Sequence, residues 1–349
     1  MAVISPFGLG SDVFTAGIRE GRRGLTPVPA DLDVPYAEQG VVPGFDIGDI
    51  LGETRNLRVL GRAASLAVGT VALLTREHDL TDYPSTDRAL VLGGDLIGTD
   101  RAMELTRESM TNPVPFQVDT KQFPSSVMNN SAAQCAIRFG LQGPNTTVTT
   151  GRMSGLSALG YTRRLHAAGR APMVVATAVE DLNPRRSWLT WHGHGAQSTD
   201  PLGEGCCAFL VESRDGAAAR GRSPIAELVA LEFGLAPNPD LLAETMTTVL
   251  SRVLRKASVD PADRPTVVVS GPWAGAELAA VAAVLGTRTR VLEPASRIGD
   301  TDGASAAFQL ATAIAQVPHQ GDLAVITSSD PDGQVGCAVF RIPTTQEQR

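Results

Sequence analysis

The stretch GLQGPNTTVTTGRMSGLSALGYTRRLHAAGRAPMVVATAVEDL, residues 140–182, decides how the rest of the chain is read. Residues 145–150, NTTVTT, are rich in β-branched side chains and read as a strand. Glycine and proline in 140–144 separate this strand from a helical run at 131–139. Residues 155–168 read as a helix opened by Gly155, Ser157, Ala158 and Gly160, small side chains that allow backbone or ligand to approach closely. Residues 173–179, MVVATAV, form an apolar run of strand length. Strand, turn, helix and strand in this order is the repeating unit of an α/β protein.

The same alternation extends outward. In 56–77, Leu57, Leu60, Ala64, Ala67, Val68, Val71 and Leu74 keep an i, i+3/i+4 rhythm, which predicts a helix with one apolar face. Residues 88–95, RALVLGGD, read as a buried strand ending in glycines; 207–212 and 266–270 read as further strands. Residues 277–285 and 303–315 are Ala-rich helices, and 323–328 with 336–342 read as a closing hairpin. Two α/β halves of similar make-up are expected, at 1–203 and 204–349. The polar stretch SRDGAAARGRSP, 213–224, reads as a crossover.

Composition bounds the function. A chain of 349 residues, 43% hydrophobic and 19% charged, has the make-up of a soluble globular protein. With 37 acidic residues against 30 basic ones, a nucleic-acid partner has no support. Cys135, Cys206, Cys207 and Cys337 fit neither a disulfide framework nor a metal motif, which points to a reducing, cytoplasmic setting. The opening MAVISPFGLGSD has no charged n-region, so no secretory signal is expected. No apolar run reaches the ~20 residues needed to span a membrane, so no membrane partner is expected.

Ordinary catalytic constellations are scarce. His192 and His194 form an HxH pair in the turn-rich WHGHGAQSTD, without a third ligand at metal-site spacing, and are expected on an exposed loop. No metal site is predicted. Cys206 and Cys207 are adjacent, so in a strand they face opposite sides, as small core side chains. Ser154 stands between a strand and a helix, rather like a nucleophile elbow, but the spacing is not GxSxG.

With these residues in place, 140–182 resembles the nucleophile region of the β-ketoacyl synthases of the thiolase fold, whose pattern runs GPxxTVxTACASG, then a helix, then a strand. SPFG at 5–8 resembles the family's SPLG, and MNNSAAQCAIRFGLQGP at 128–144 its MPN…IA…FGLKGP run. LGEGCCAFLVES with AAARGRSPIAELV, within 202–229, resembles its GEGA…LVLE and ARG…AEL run. The resemblance implies a layered α-β-α-β-α core built from two similar halves. It also implies a dimer that pairs strand 145–150 across a two-fold axis.

The departures from the family pattern fall on its chemistry. A condensing ketosynthase needs a thiolate to accept the acyl chain and two histidines to drive decarboxylation. The cysteine position of TACASG falls on Arg152, which stays protonated and cannot be acylated. The first histidine position falls near Gly271, in SGPWAGAE. In the second motif, KSxxGHxxGAAG, the lysine falls on Ala295 and the histidine on Asp300. The closing GFGG is replaced by SDPDG at 329–333.

This combination is most similar to the chain length factors, the non-catalytic ketosynthase-like subunits of type II polyketide synthases, which usually carry glutamine where Arg152 stands. The resemblance implies a catalytic ketosynthase as partner in a heterodimer and an acyl carrier protein as a transient one. No cofactor is expected beyond the phosphopantetheine of that carrier, bound mainly by the partner. In chain length factors the segment at 103–116 faces the partner's tunnel, so Met103, Met110 and Phe116 are the tunnel-wall candidates. Packing of each against its own core remains the alternative. Arg152, if buried, requires a counter-charge, and Asp300 is the expected one. Two other readings stay open: an acyl transferase or hydrolase using Ser154 or Thr150, with His192 or His194 as base, and a homodimer that binds carrier-bound intermediates.

Overall fold

The computed structural model describes residues 1–52, 57, 60–193, 200–263, 265–271, 274–316 and 323–343. Its centre is two sheets of one topology. In the first, Ala2–Ser5 pairs antiparallel with Gly205–Glu212, which pairs antiparallel with Met173–Glu180. Met173–Glu180 runs parallel to Arg88–Gly93, and Arg88–Gly93 parallel to Asn145–Val148. In the second, Glu227–Leu235, Gln334–Arg341, Leu323–Ser329, Thr266–Val268 and Val291–Leu292 follow in the same order with the same directions. Apart from the two-residue strand Gly8–Leu9, which pairs antiparallel on the outer side of Ala2–Ser5, the strands of each sheet thus lie in the order first, fifth, fourth, second, third.

That shared topology places the changeover between halves in the segment from Glu212 to Glu227, across the polar stretch at 213–224. A division after residue 203 separates Gly205–Glu212 from the first sheet, where it lies between Ala2–Ser5 and Met173–Glu180. The expected division between 203 and 204 is therefore corrected, while the crossover expected at 213–224 lies where the topology places the changeover. The strand Gly205–Glu212 closes the first half.

Five layers result. Helices Arg62–Glu77 and Asn130–Phe139 cover the outer face of the first sheet, burying Leu66, Val68, Leu74 and Cys135 against Leu90, Leu92, Val175 and Cys206. Helices Ser154–Ala167 and Ser305–Gln316 fill the space between the sheets, with Leu156, Phe308 and Leu310 packed against Ala176, Cys207, Ile326 and Ala338. Helices Leu242–Ala257 and Ala274–Leu285 cover the outer face of the second sheet. Ser305–Gln316 is alanine-rich because it is enclosed on all sides, and large side chains would force the sheets apart. Its fully buried Gln309 donates from Nε2 to the carbonyls of Val268 at 2.8 Å and Thr327 at 2.6 Å, tying two neighbouring strands together.

Most element readings correspond to observed elements within a few residues. The helix expected from residue 56 is seen as Arg62–Glu77; residues 53–56, 58 and 59 lie outside the described set. Cys206 and Cys207 do face opposite sides, and both sides are core because the sheet is covered twice. Helix Leu242–Ala257 and strand Glu227–Leu235 had no counterpart in the sequence reading. His192 lies in helix Pro184–Gly193, stacked on Trp188, rather than on a loop; His194 lies outside the described residues. No helix among the described residues is long and apolar enough to cross a membrane.

Candidate functional site

The strand Asn145–Val148 leads through Thr150 and Gly151 into helix Ser154–Ala167, and this turn delivers Arg152 into the middle of the molecule. Gly151 takes a left-handed φ of 57°. The turn is then closed by Met153 N–H donating to Thr150 O, and Ser154 N–H to Gly151 O, both at 3.1 Å. The Ser154 hydroxyl, fully buried, accepts from Thr150 N–H at 2.9 Å and donates to Gly151 O at 2.6 Å. Both of its bonds are therefore spent on holding the turn. Thr150 Oγ1 donates to Ser157 Oγ at 3.1 Å. Neither hydroxyl has an imidazole partner among the described residues.

Arg152 is 3% exposed. Its Nη1 donates to Asp300 Oδ2 at 2.7 Å, and its Nη2 to the Ser270 carbonyl at 3.0 Å. Its backbone N–H donates to Asp330 Oδ2 at 3.0 Å. The ion pair expected between Arg152 and Asp300 is thus formed, between two fully buried groups. Asp300 is held in turn by its backbone: Gly203 N–H donates to its carbonyl at 2.8 Å, and its N–H donates to Pro201 O at 2.7 Å. Gly271, the third degenerate position, borders the same guanidinium. Its φ is 117°, and a Cβ there would lie 2.6 Å from Ala295 Cβ and 3.9 Å from Arg152 Nη2. Glycine permits this backbone turn and avoids a clash with Ala295, while a Cβ would meet the arginine head only at ordinary contact distance. The neighbouring residues 272 and 273 lie outside the described set.

Several residues of the cluster were missed from sequence. Asp302, two beyond Asp300, has a carboxylate oxygen 3.9 Å from Arg152 Nη1 and an unusual φ of 44° for a residue other than glycine. Its N–H donates to Asp300 Oδ1 at 3.0 Å. Arg186 is a second buried arginine, donating from Nη1 to the carbonyls of Asp181 and Gly203 and from Nη2 to that of Asp300. Glu180, fully buried, accepts from the N–H groups of Asp95 and Leu96 at 2.9 and 3.1 Å. A carboxylate two residues from Asp300, in GDTDG, was the available signal for Asp302; nothing in NPRRSW marks Arg186 as an interior arginine.

The electrostatics divide the carboxyls. Burial works against ionisation of Asp300, but the charge and hydrogen bond of Arg152 outweigh it and hold Asp300 below its ordinary value. Asp302 is pushed up to about 7, by burial first and then by repulsion from Asp300, with Arg152 and Arg186 opposing. Burial raises Glu180 well above the usual carboxylate range. Arg152 remains protonated because Asp300 and Asp302 offset its desolvation. Below the cluster, Glu277 accepts from Ser270 N–H and Oγ, Thr327 Oγ1 and Ser329 Oγ, which fixes the loop whose carbonyl meets Arg152. The cluster holds charge; its guanidinium groups cannot attack a carbonyl, and among the described residues no thiol or imidazole joins it. The four cysteines lie free within the hydrophobic cores. No group of three or more metal-ligating side chains occurs among the described residues.

The three wall candidates lie apart from this cluster. Met103 is on helix Thr99–Thr111, which has no buried residue, and is 39% exposed; Met110 and Phe116 are 80% and 81% exposed. Packing into the chain's own core is thereby ruled out for Met110 and Phe116. With Leu105, Pro115, Val118 and Phe123, Met110 lines an open apolar groove of about 620 Å³.

Known proteins give this geometry a context. Residues 53–219 match the N-terminal domain of β-ketoacyl synthases. The chain is similar to a structure titled the ishigamide ketosynthase/chain length factor, with 32% identity, a TM-score of 0.85 and 98% of both chains covered. It is 24% identical to 3-oxoacyl-[acyl-carrier-protein] synthase 2 of Vibrio harveyi, over 67% of this chain and 61% of that one. It is also 27% identical to an actinorhodin polyketide β-ketoacyl synthase 2 of Streptomyces coelicolor, over 64% and 59% respectively. The chain spans about three fifths of the length of these two curated relatives.

Proposed function

The chain belongs to the β-ketoacyl synthase family, and on that premise we propose that it is a non-catalytic subunit, a chain length factor, in type II polyketide biosynthesis. The observation that carries this reading is the Arg152–Asp300 ion pair. It occupies the positions where a condensing member needs its thiolate and one of its histidines. A buried, doubly hydrogen-bonded guanidinium neither takes up an acyl group nor leaves room for a thioester. The binding partner is a catalytic ketosynthase, which supplies the cysteine, the histidines and most of the contact to phosphopantetheine on an acyl carrier protein.

In this complex the chain has two tasks. Its first sheet ends at Asn145–Val148, a strand bonded only to Arg88–Gly93 among the described residues, so one row of backbone groups is open to a partner strand. Its exposed segment carrying Met103, Met110 and Phe116 supplies adaptable apolar wall to the partner's acyl tunnel. Side chains 80% exposed in the single subunit gain a function once a second subunit covers them.

The test is native mass spectrometry of the chain alone and co-expressed with the catalytic ketosynthase of its gene neighbourhood. A one-to-one complex is expected. A stable homodimer that ignores the ketosynthase would overturn the reading.

A further inference from the structure

From Thr120 to Val179 the chain contains no aspartate or glutamate, yet carries one lysine and five arginines, in a protein with 37 acidic residues against 30 basic ones. This acid-free stretch builds the open edge of the first sheet. It supplies the edge strand Asn145–Val148, helix Asn130–Phe139 on one face and helix Ser154–Ala167 on the other.

Along helix Ser154–Ala167, Ser157, Gly160, Arg163 and Arg164 face Leu231 and Phe233 of the second sheet's edge strand across an open groove of about 330 Å³. The groove is linked to the open edge through Ser157 and the packing of its helix. Thr150, at the end of that strand's run, is hydrogen-bonded to Ser157, and Tyr161 packs with Val148 and Ala158. Arg163 and Arg164 are exposed, and neither makes an ion pair among the described residues; Arg164 lies over the Tyr161 ring at 5.3 Å. Some other exposed arginines are paired with acids, Arg107 with Glu104 and Arg214 with Glu227, while Arg170, on the same acid-free stretch, is exposed and, like Arg163 and Arg164, makes no ion pair among the described residues. Phe233, 40% exposed, leaves an apolar floor beneath the cationic rim.

We infer that this face selects a non-identical subunit carrying an acidic surface with an apolar tip, and that its lack of acids disfavours pairing with a second copy of the chain. The inference rests on the proposed function and specifies the partner at the same interface. A two-fold dimer through the edge brings the same patch from both copies together. Arginine-bearing surface would then meet arginine-bearing surface without one carboxylate from these elements to neutralise it. A partner that brings carboxylates to Arg163 and Arg164 is attracted where the copy is repelled, which discriminates partners by both a gain and a penalty.

The experiment measures affinity for the catalytic ketosynthase at low and high salt, using the wild-type chain, Arg163→Glu/Arg164→Glu and Arg163→Gln/Arg164→Gln. The wild-type complex is expected to weaken with salt. Charge reversal is expected to raise Kd at least about tenfold at low salt. The glutamine pair is expected to lose part of the affinity and much of the salt dependence. If reversal disturbs folding, the glutamine pair decides the matter through that salt dependence. Reversal and neutral variants that bind within about twofold of wild type, with unchanged salt dependence, would overturn the inference while leaving the proposed function standing. A wild-type chain that forms no complex would remove both.

Discussion

Replacing Asp300 by asparagine removes the one carboxylate in direct contact with the buried Arg152 while keeping the side chain's shape. Arg152 retains the Ser270 carbonyl at 3.0 Å, and Asp302 stands 3.9 Å away, so part of the charge stays compensated. Breaking a buried ion pair by removing one partner costs ~3–5 kcal/mol, and the residual partners place the expected loss near about 3 kcal/mol. Arg152→Met/Asp300→Asn leaves no uncompensated cation and is expected to be more stable than Asp300→Asn alone. Urea unfolding of wild type, both single variants and the double variant gives the coupling directly as a double-mutant cycle. If Asp300→Asn unfolds within about 0.5 kcal/mol of wild type, the pair is not the structural replacement for the missing chemistry.

Four further outcomes are expected. Asp302 is pushed up to about 7, above the value of about 4 for an unfolded aspartate, so the folded state binds more protons between those values. Its contribution to stability is full below about pH 4 and is lost as pH rises through about 7; Asp302→Asn should flatten the urea midpoint across that window relative to wild type. Met110→Ala and Phe116→Ala should leave stability within about 0.5 kcal/mol, because both are exposed, yet alter product length in the complex by mass spectrometry. Gly303→Ala places a Cβ 2.6 Å from the backbone nitrogen of Asp95 and 2.9 Å from the carbonyl carbon of Gly94, and should cost about 1–3 kcal/mol in urea unfolding. All four cysteines are buried, with thiols raised by desolvation, so an alkylating reagent should modify none until the protein is unfolded.

The layered fold was legible because its elements announce themselves locally. The β-branched run at 145–148, the small residues opening Ser154–Ala167 and the apolar Met173–Glu180 each have one reading. The crossover at 213–224 was legible in its polar composition, but a boundary at 203 misassigns the strand Gly205–Glu212, which owes its place in the first sheet to pairing with Ala2–Ser5, some two hundred residues away in sequence. The Arg152–Asp300 contact was accessible because a buried cation demands a counter-charge and the family resemblance sets position 300 beside position 152. Arg186, Asp302 and Asp330 join the cluster through backbone geometry: the helix start at Pro184, the left-handed turn at Asp302 and the reversal at Asp330–Gly333. Asp302 and Asp330 stand in segments the sequence already singled out, GDTDG and SDPDG, but the juxtaposition of Arg186 with them leaves no local mark. Exposure of Met110, on helix Thr99–Thr111, and of Phe116, in the turn beyond it, was equally unmarked, because an apolar residue reads alike whether core or partner covers it.

Intact-protein mass spectrometry of the purified ketosynthase complex after incubation with an acyl donor tests the central claim most directly. The account predicts an acyl adduct on the ketosynthase and none on this chain. An adduct on this chain, at Ser154, Thr150 or any other side chain, would contradict it.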